Sequence, residues 1–108
     1  GRIRRAGLGI SLVPEKIRRS LGIEGAMILE IEPGSAAEKA GLSPVHMDVF
    51  GRTIYGDIIQ ALDGQRIKNN QDLAAFFDDK KKAGDKIRIR FLRGRRVMET
   101  VAVLQQLE

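Results

Sequence analysis

The sequence has 108 residues, of which 43% are hydrophobic and 31% charged, values typical of one soluble globular domain with a modest core. It contains no cysteine and a single histidine, which excludes disulfides and the usual Cys/His zinc site. No apolar run is long enough to span a bilayer, and no signal-peptide pattern is present. Because the chain begins with Gly1 rather than Met, we expect it to be a fragment of a longer protein.

The net charge of +5 is distributed unevenly along the chain. Residues 1–20 carry a net +5, residues 21–79 a net −6 and residues 80–108 a net +6. Basic segments of this kind favour nucleic-acid binding, but aromatic residues that could stack on bases make up only 5% of the chain. Nucleic-acid binding is therefore the lesser alternative, and we do not expect a nucleic-acid partner.

Hydrophobic spacing and turn residues predict a series of short elements. In chain order these are a strand over residues 10–13, a helix over about 15–21, a strand over 25–32, a helix from Ser35 to Gly41, an exposed loop over 43–55, a strand-turn-strand over 56–67, a helix over about 71–82 and a hairpin over 86–104. Five or six strands that do not alternate regularly with two or three short helices indicate a mainly β (α+β) fold, with a small antiparallel sheet or open barrel capped by helices.

The same patterns predict which side chains face the core. Ile17 and Leu21 are expected on the buried side of the first helix, and Met27, Leu29 and Ile31 on one face of the following strand. Ser35 is expected to cap its helix, with Glu38 completing a capping box. The last helix and hairpin are expected to bury Leu73, Phe76, Phe77, Ile87, Ile89 and Phe91, and to expose Lys86, Arg88 and Arg90.

The residues that hydrolytic chemistry needs are missing from the sequence. No serine lies in a G-x-S-x-G motif, and His46 lies in the predicted exposed loop. Asp57 follows Gly56 at a predicted turn, which favours a structural role. We therefore expect no catalytic residues, no metal site and no cofactor in this fragment.

Four motifs taken together resemble a PDZ domain. They are the loop AGLGI at residues 6–10, PGSAAEKAGL at 33–42, GDIIQALDGQ at 56–65 and AGDKIRIRFLRG at 83–94. Their order is similar to that of the circularly permuted PDZ domains of bacterial and organellar HtrA/Deg serine proteases. The resemblance implies a single PDZ domain over residues 1–108, with a core over about 5–104. It also implies a five- to six-stranded antiparallel, partly open barrel capped by two to three short helices.

The sequence departs from most such domains by an insertion at residues 43–55. With its Phe50-Gly51-Arg52 segment, it resembles the insertion in Deg proteases of plants, cyanobacteria and some other bacteria. Two interpretations remain open. The insertion is either a long surface loop or a contact to a protease domain or neighbouring subunit through Met47, Val49 and Phe50.

The resemblance also implies a peptide site between the strand at residues 10–13 and the helix that begins near Gln71. An extended peptide would add to the strand edge, and backbone N–H groups of the glycine loop would receive its terminal carboxylate. The expected carboxylate-loop residues are Arg5, Gly7, Leu8, Gly9 and Ile10, with a charge contribution from Arg4 or Arg5. The expected groove residues are Ser11, Leu12, Leu73, Ala74 and Phe77, and core packing is the alternative role for their apolar members and for Leu8 and Ile10.

The helix start and Gly9 each predict a property of this site. Since no histidine begins the helix at residue 71, the groove is expected to prefer an apolar ligand residue. Since only glycine reaches the needed dihedrals cheaply, Gly9→Val is expected to abolish peptide binding and leave the melting curve nearly unchanged.

The resemblance implies a function for the whole fragment as well. It implies a peptide-binding regulatory or substrate-recognition module of an HtrA/Deg-like serine protease, which binds apolar C-termini or unfolded proteins in protein quality control. The catalytic domain would lie upstream, and the parent would be a homo-oligomeric serine endopeptidase (a hydrolase) in the bacterial periplasm or cell envelope. The alternative is a PDZ module of a membrane metalloprotease, a carboxy-terminal processing protease or a secretion protein.

Overall fold

One open sheet and two separate strand pairs make up the β structure. The computed structural model describes residues 5–78 and 82–107. Its strands are β1 (Arg5–Gly7), β2 (Ile10–Leu12), β3 (Ala26–Ile31), β4 (His46–Met47), β5 (Thr53–Ile54), β6 (Ile58–Leu62), β7 (Gln65–Arg66), β8 (Lys86–Arg93), β9 (Arg96–Val103) and β10 (Gln105–Leu107). The helices of the described ranges are α1 (Glu15–Ser20), α2 (Ala36–Lys39) and α3 (Asn70–Asp78).

The antiparallel sheet has the order β2-β3-β6-β8-β9, and β7 pairs with β6. The other pairs are β1 with β10 and β4 with β5. The predicted mainly β architecture with short helices is confirmed, but the sheet is open and does not close into a barrel. As a result β2 and β9 are both edge strands.

The main core lies on the side of the sheet that carries α2 and α3. On β8 the predicted alternation is confirmed, with Ile87, Ile89 and Phe91 buried and the three intervening cations exposed. The turn between β6 and β7 is also as predicted, since Asp63 and Gly64 both have positive φ, as a two-residue hairpin turn requires.

The prediction for the faces of β3 was wrong. Ala26 and Ile28 enter the main core, whereas Met27 is buried on the opposite face in a second cluster with Val13 and Ile58. Leu29 is exposed. The start of β3 is buried on both faces because other elements cover the side that a simple alternation would leave in water.

The prediction for α1 was wrong for Ile17, whereas Leu21 is half-buried and packs against the second cluster as expected. Ile17 is 50% exposed, and Arg18 is the buried residue of the helix. The Arg18 guanidinium donates to the Ile23 carbonyl at 2.8 Å and pairs with the Glu15 carboxylate. These bonds pair the buried charge, although the Arg18 Nε has no hydrogen-bond partner among the described residues. Hydrophobic spacing alone does not predict such a buried cation.

Ser35 caps α2 as predicted, but the capping box is altered. The Ser35 Oγ accepts from the Glu38 N–H at 3.2 Å. The Glu38 carboxylate accepts from the Gly34 N–H at 2.8 Å and not from the Ser35 N–H, as a capping box would require. In α3, Asn69 is the cap, because its Oδ1 accepts from the Asp72 N–H at 2.8 Å. The predicted end of this helix at Lys82 was wrong, since Lys82 is not helical, and residues 79–81 lie outside the described ranges.

The insertion at residues 43–55 is a small hairpin rather than an irregular loop. Asp48 organises its tip: the carboxylate accepts from the backbone N–H groups of Phe50 and Arg52, each at 2.9 Å, and from the Arg52 side chain. These hydrogen bonds hold the pKa of Asp48 below its usual range. The ordered tip presents Val49 and Phe50 at 94% and 77% exposure.

A buried ion pair connects the base of this hairpin to the sheet. Asp57 is 1% exposed, and its two carboxylate oxygens accept from Arg93 at 2.9 and 2.8 Å. Arg93 also donates to the Gly41 carbonyl, and the Ser43 N–H donates to Asp57. The hydrogen bonds to Asp57 raise the pKa of Arg93, against the effect of partial burial, so this arginine stays charged. The predicted structural role of Asp57 thus includes a tertiary contact.

We expect Arg93→Leu to lower the free energy of unfolding by about 2–3 kcal/mol, because it leaves the Asp57 carboxylate buried without its cation. The value is below that of a fully buried pair because Arg93 is half-exposed. Urea denaturation gives the measurement, and Arg95→Leu, at an exposed position in the adjacent turn, is the matched control with an effect within about 0.5 kcal/mol. Equal effects of the two variants would contradict a stabilising role of the pair.

Candidate functional site

The free edge of β2 is the centre of the candidate site. The backbone bonds beside it run from Glu32 N to Gly9 O and from Val13 N to Met27 O, each 2.9 Å. In antiparallel pairing, the residues between such bonds turn their own N–H and C=O groups away from the partner strand. Ile10 and Leu12 therefore direct their backbone donors and acceptors toward the open edge of the sheet.

Helix α3 lies alongside this edge. At its start, the Asn70 side chain donates to the Val13 carbonyl at 3.0 Å, and further along the helix contacts β1. The helix thus runs antiparallel to β2 from one end of the strand to the other. Asn70, Ala74 and Phe77 are spaced by four and three residues, so they share the helix face that Asn70 turns toward β2.

A second hydrogen bond fixes the same end of α3. The Glu15 carboxylate accepts from the Asn70 N–H at 2.5 Å and from the Arg18 guanidinium. Burial opposes ionisation of Glu15, but these bonds and the nearby arginine charges outweigh it and hold the pKa of the carboxyl below its usual range. The ionised Glu15 therefore connects α1 to the start of α3.

Between β2 and α3 the structure brings several predicted groove residues together. Ile10, Leu12 and Phe77 are half-buried and pack against the main core, and Ala74 is exposed on the shared helix face. Leu73 is buried one position away from Ala74. These residues form an apolar surface beside unpaired strand edge, which suits an extended segment with alternating apolar side chains.

The loop before β2 presents its N–H groups and not its carbonyls. The Leu8 carbonyl accepts from the Ala37 N–H at 3.0 Å, and the Gly9 carbonyl accepts from Glu32. Within the described ranges, the N–H groups of Leu8, Gly9 and Ile10 have no hydrogen-bond acceptor. Three successive backbone donors of this kind form a site for an anion such as a carboxylate.

Gly9 is held in this conformation by close packing. Its φ of +76° lies in the left-handed region, and a Cβ at this position would lie 2.6 Å from the Ser35 Cβ and 3.0 Å from the Gln105 Oε1. Gln105 also accepts from the Ala36 N–H at 2.6 Å. Sequence reasoning missed Gln105, because nothing in the local pattern of β10 indicates a contact with a loop at the other end of the chain.

Several predicted site residues do not join this arrangement. Gly7 ends β1, where it pairs with Gln105, and does not belong to the loop itself. The Leu8 side chain is 2% exposed and packs in the core, so only its backbone N–H reaches the site. The Ser11 side chain is exposed near Glu30 and lies on the opposite face of β2 from the groove. The backbone of Arg5 pairs with Leu107, but the Arg5 side chain and all of Arg4 lie outside the described part of the structure.

Within residues 5–78 and 82–107, no group of three His, Asp or Glu side chains is placed to hold a metal ion. The same residues contain no helix with the length and apolar character needed to cross a bilayer.

The site thus combines an open strand edge, a helix beside it and backbone N–H donors at its start, and this combination is typical of one class of domain. The PDZ domain family matches residues 6–104, and the chain belongs to this family. Among curated proteins it is 36% identical over 94 residues to Protease Do-like 1, chloroplastic, of Arabidopsis thaliana, covering 87% of this chain and 21% of that protein. It is 34% identical over 79 residues to the probable periplasmic serine endoprotease DegP-like of Rhizobium meliloti (strain 1021), covering 68% of this chain and 14% of that protein.

Solved structures give the same result for the fold. The HtrA-type protease AlgW with decapeptide superposes with a TM-score of 0.74 at 21% identity, over 100% of this chain and 31% of that chain. The HtrA3 PDZ domain bound to a phage-derived ligand superposes with a TM-score of 0.71 at 14% identity, over 99% of this chain and 91% of that domain. The domain is thus homologous to the PDZ domains of HtrA/Deg proteases, and it spans about a fifth or less of the curated relatives' length.

The contacts of Gly9 revise the expectation that a larger residue there would leave folding unaffected. We expect Gly9→Ala to lower the free energy of unfolding by about 2–4 kcal/mol, from left-handed strain and from overlap with Ser35. Gly22→Ala is the matched control, because Gly22 also has a positive φ, of +70°, but no atom within 4 Å of an added Cβ. Thermal denaturation of both variants separates the cost of the left-handed strain from the cost of the overlap with Ser35. An equal loss of stability in both variants would show that the overlap with Ser35 contributes nothing.

Proposed function

We propose that this PDZ domain is the peptide-recognition module of an HtrA/Deg-like serine protease and that it binds C-terminal segments by strand addition. The observation that carries the proposal is the free edge of β2, which lies beside α3 and begins at three N–H groups without acceptors. An edge strand with these features is a template for an added strand.

The geometry supports one arrangement of the ligand. The peptide backbone pairs with the outward C=O group of Ile10 and the outward N–H and C=O groups of Leu12, as a further antiparallel strand of the sheet. Its terminal carboxylate accepts hydrogen bonds from the N–H groups of Leu8, Gly9 and Ile10. Its last side chain rests on the apolar surface that Ile10, Leu12 and Phe77 provide, so an apolar residue fits best there.

These contacts correspond to weak and reversible binding. One buried apolar side chain contributes ~1.5–3 kcal/mol and each charge-assisted hydrogen bond ~1.5–3 kcal/mol. Association costs at least ~4 kcal/mol, so the expected dissociation constant is on the order of micromolar. Affinity in this range suits a module that tethers substrates or senses their ends.

The proposal extends to the parent protein. The sequence similarity to Do-like and DegP-like proteases supports a serine endopeptidase whose catalytic domain precedes residues 1–108 and which acts in protein quality control as a homo-oligomer. The relatives' names include one chloroplastic and one periplasmic protease, which supports a bacterial or organellar envelope location. A parent of another type, such as a membrane metalloprotease, is the alternative, and a serine-protease signature upstream would decide between them.

The insertion at residues 43–55 keeps two proposed roles. As an ordered hairpin with Met47, Val49 and Phe50 exposed at or near its tip, it offers an apolar contact to a protease domain or neighbouring subunit. As a surface element it would serve only to cover the edge of the second cluster. Either role leaves the β2 edge free.

The decisive experiment compares free and amidated peptides on two helix variants. We expect apolar C-terminal peptides to bind with a free carboxylate and to lose at least tenfold in affinity when amidated. Ala74→Glu should abolish binding, because it places a charged side chain on the helix face that borders β2. Ala75→Glu, one position along α3 and equally exposed, is the matched control and should bind as the unchanged domain does.

Isothermal titration calorimetry gives the affinities, and melting curves confirm that both variants are folded. Indifference of every binding peptide to amidation would refute the carboxylate site, and an equal loss in both variants would refute the groove. Binding of DNA or RNA that weakens steeply with salt, without any peptide binding, would instead favour the nucleic-acid alternative.

A further inference from the structure

The face of the sheet that points away from the main core, here called the outer face, carries a row of concavities along β8. The first is the apolar cleft, with a volume of about 470 Å³. Its lining includes Leu21, Ile23, Met27, Ile58 and Leu92, with Ile54 and Tyr55 of the insert hairpin at one side. The cleft belongs to the second apolar cluster and not to the β2 edge.

The row continues as two smaller concavities of about 370 and 250 Å³, here called the arginine trough. Both are lined by Ala61, Gly64 and Arg90, and Arg66 and Arg88 form further walls. Ala61 has a short side chain and Gly64 has none, so neither fills the space between the long arginine side chains.

The cleft and the trough are connected by the alternation of β8. Leu92, Arg90 and Arg88 are successive outward positions of the strand, so they follow each other at about 7 Å. Leu92 lines the cleft, and the two arginines line the trough. An extended segment of about five residues would span this distance and place its first, third and fifth side chains over the same three positions.

We propose that the outer face is a second binding groove, which takes an acidic polypeptide segment anchored by one apolar side chain. The anchor occupies the apolar cleft beside Leu92, and carboxylates of the segment pair with Arg88 and Lys86. This groove is separate from the peptide site at β2, and the proposal does not depend on that site.

The charges of the outer face support an acidic partner. The described carboxylates that line the concavities are already paired with cations of the chain: Asp57 with Arg93, Glu24 with Arg66 and Glu99 with Arg90. Asp63, beside the trough, accepts from the Arg88 backbone N–H at 2.7 Å. The side chains of Arg88 and Lys86 are exposed and have no ion-pair partner among the described residues. The unbalanced charge on this face is therefore positive and attracts carboxylates.

The shape of the face favours a polypeptide over a membrane or a nucleic acid. A bilayer surface cannot enter a concave cleft, and a nucleic-acid backbone has no apolar group for its aliphatic lining. A single leucine-sized side chain fills part of a cleft of this volume, and the exposed Val97 and Val101 of β9 add apolar contacts beside the cations. A short segment with one apolar residue followed by carboxylates matches both halves of the groove.

The test uses short peptides with both ends blocked, so that no free carboxylate can occupy the loop before β2. The acetylated and amidated peptide Leu-Ser-Ser-Ser-Glu-Ser-Glu places its leucine over Leu92 and its two glutamates over Arg88 and Lys86 when it lies extended along β8. The comparison peptides are Leu-Ser-Ser-Ser-Lys-Ser-Lys, which reverses the charge, and Ser-Ser-Ser-Ser-Glu-Ser-Glu, which removes the anchor. Binding is measured by isothermal titration calorimetry at low ionic strength on the 108-residue chain and its variants.

We expect the acidic leucine peptide to bind and each of the two altered peptides to lose at least tenfold in affinity. Arg88→Glu should also lower the affinity at least tenfold. Lys39→Glu makes the same change of net charge at an exposed position of α2, on the other side of the sheet, and should change the affinity less than twofold. Ala74→Glu should have no effect, since it alters only the groove beside β2.

Four results would overturn the proposal. No binding of the acidic leucine peptide at millimolar concentration would refute the groove as a binding site. Equal losses of affinity in Arg88→Glu and Lys39→Glu would show that binding depends only on the net charge of the domain. Displacement of the acidic leucine peptide by a peptide with a free C-terminal carboxylate would show that it binds at the β2 edge instead. Binding of anionic phosphatidylglycerol vesicles that is sensitive to Arg88→Glu, without peptide binding, would assign the face to a membrane.

Discussion

The close contact of Gly9 with Ser35 and Gln105 is the constraint on which the candidate site depends. Gly9 has a left-handed backbone that leaves no room for a Cβ, and its carbonyl and that of Leu8 are bound to Glu32 and Ala37. With both carbonyls engaged on one side, the neighbouring N–H groups face the other side. The direction of the loop donors is thus decided by α2 and β10, which are distant in the sequence, more than by the loop residues themselves.

The sequence predicted those features that depend on neighbouring residues. The alternation along β8, the Asp63-Gly64 turn and the Ser35 cap each follow from the local backbone and were found as expected. Features that depend on tertiary contacts were not predictable. Arg18 is buried in place of Ile17 because the Ile23 carbonyl and Glu15 satisfy its charge, and no spacing rule contains that information.

The same distinction applies to the site. The glycine loop and the strand after it could be located from motifs, since glycine and apolar residues stand out at short spacing. The roles of Gln105 and Asn70 could not, because each connects segments that only the fold brings together. The same holds for Arg93. The alternation of β8 places it in the strand but does not predict that it donates to the buried Asp57 carboxylate. Long-range polar contacts thus account for most of what sequence patterns omitted.

The pairing of β1 with β10 has a mechanical consequence. Three residue pairs hold β1 in place, and the last of them joins Gly7 to Gln105, the residue behind Gly9. A tensile force on the chain before Arg5 would load these pairs before it reached the central sheet. Their separation would withdraw Gln105 from Ala36 and remove one of the contacts that hold the loop, so a force on the start of the domain would act on the strand-addition edge through β10.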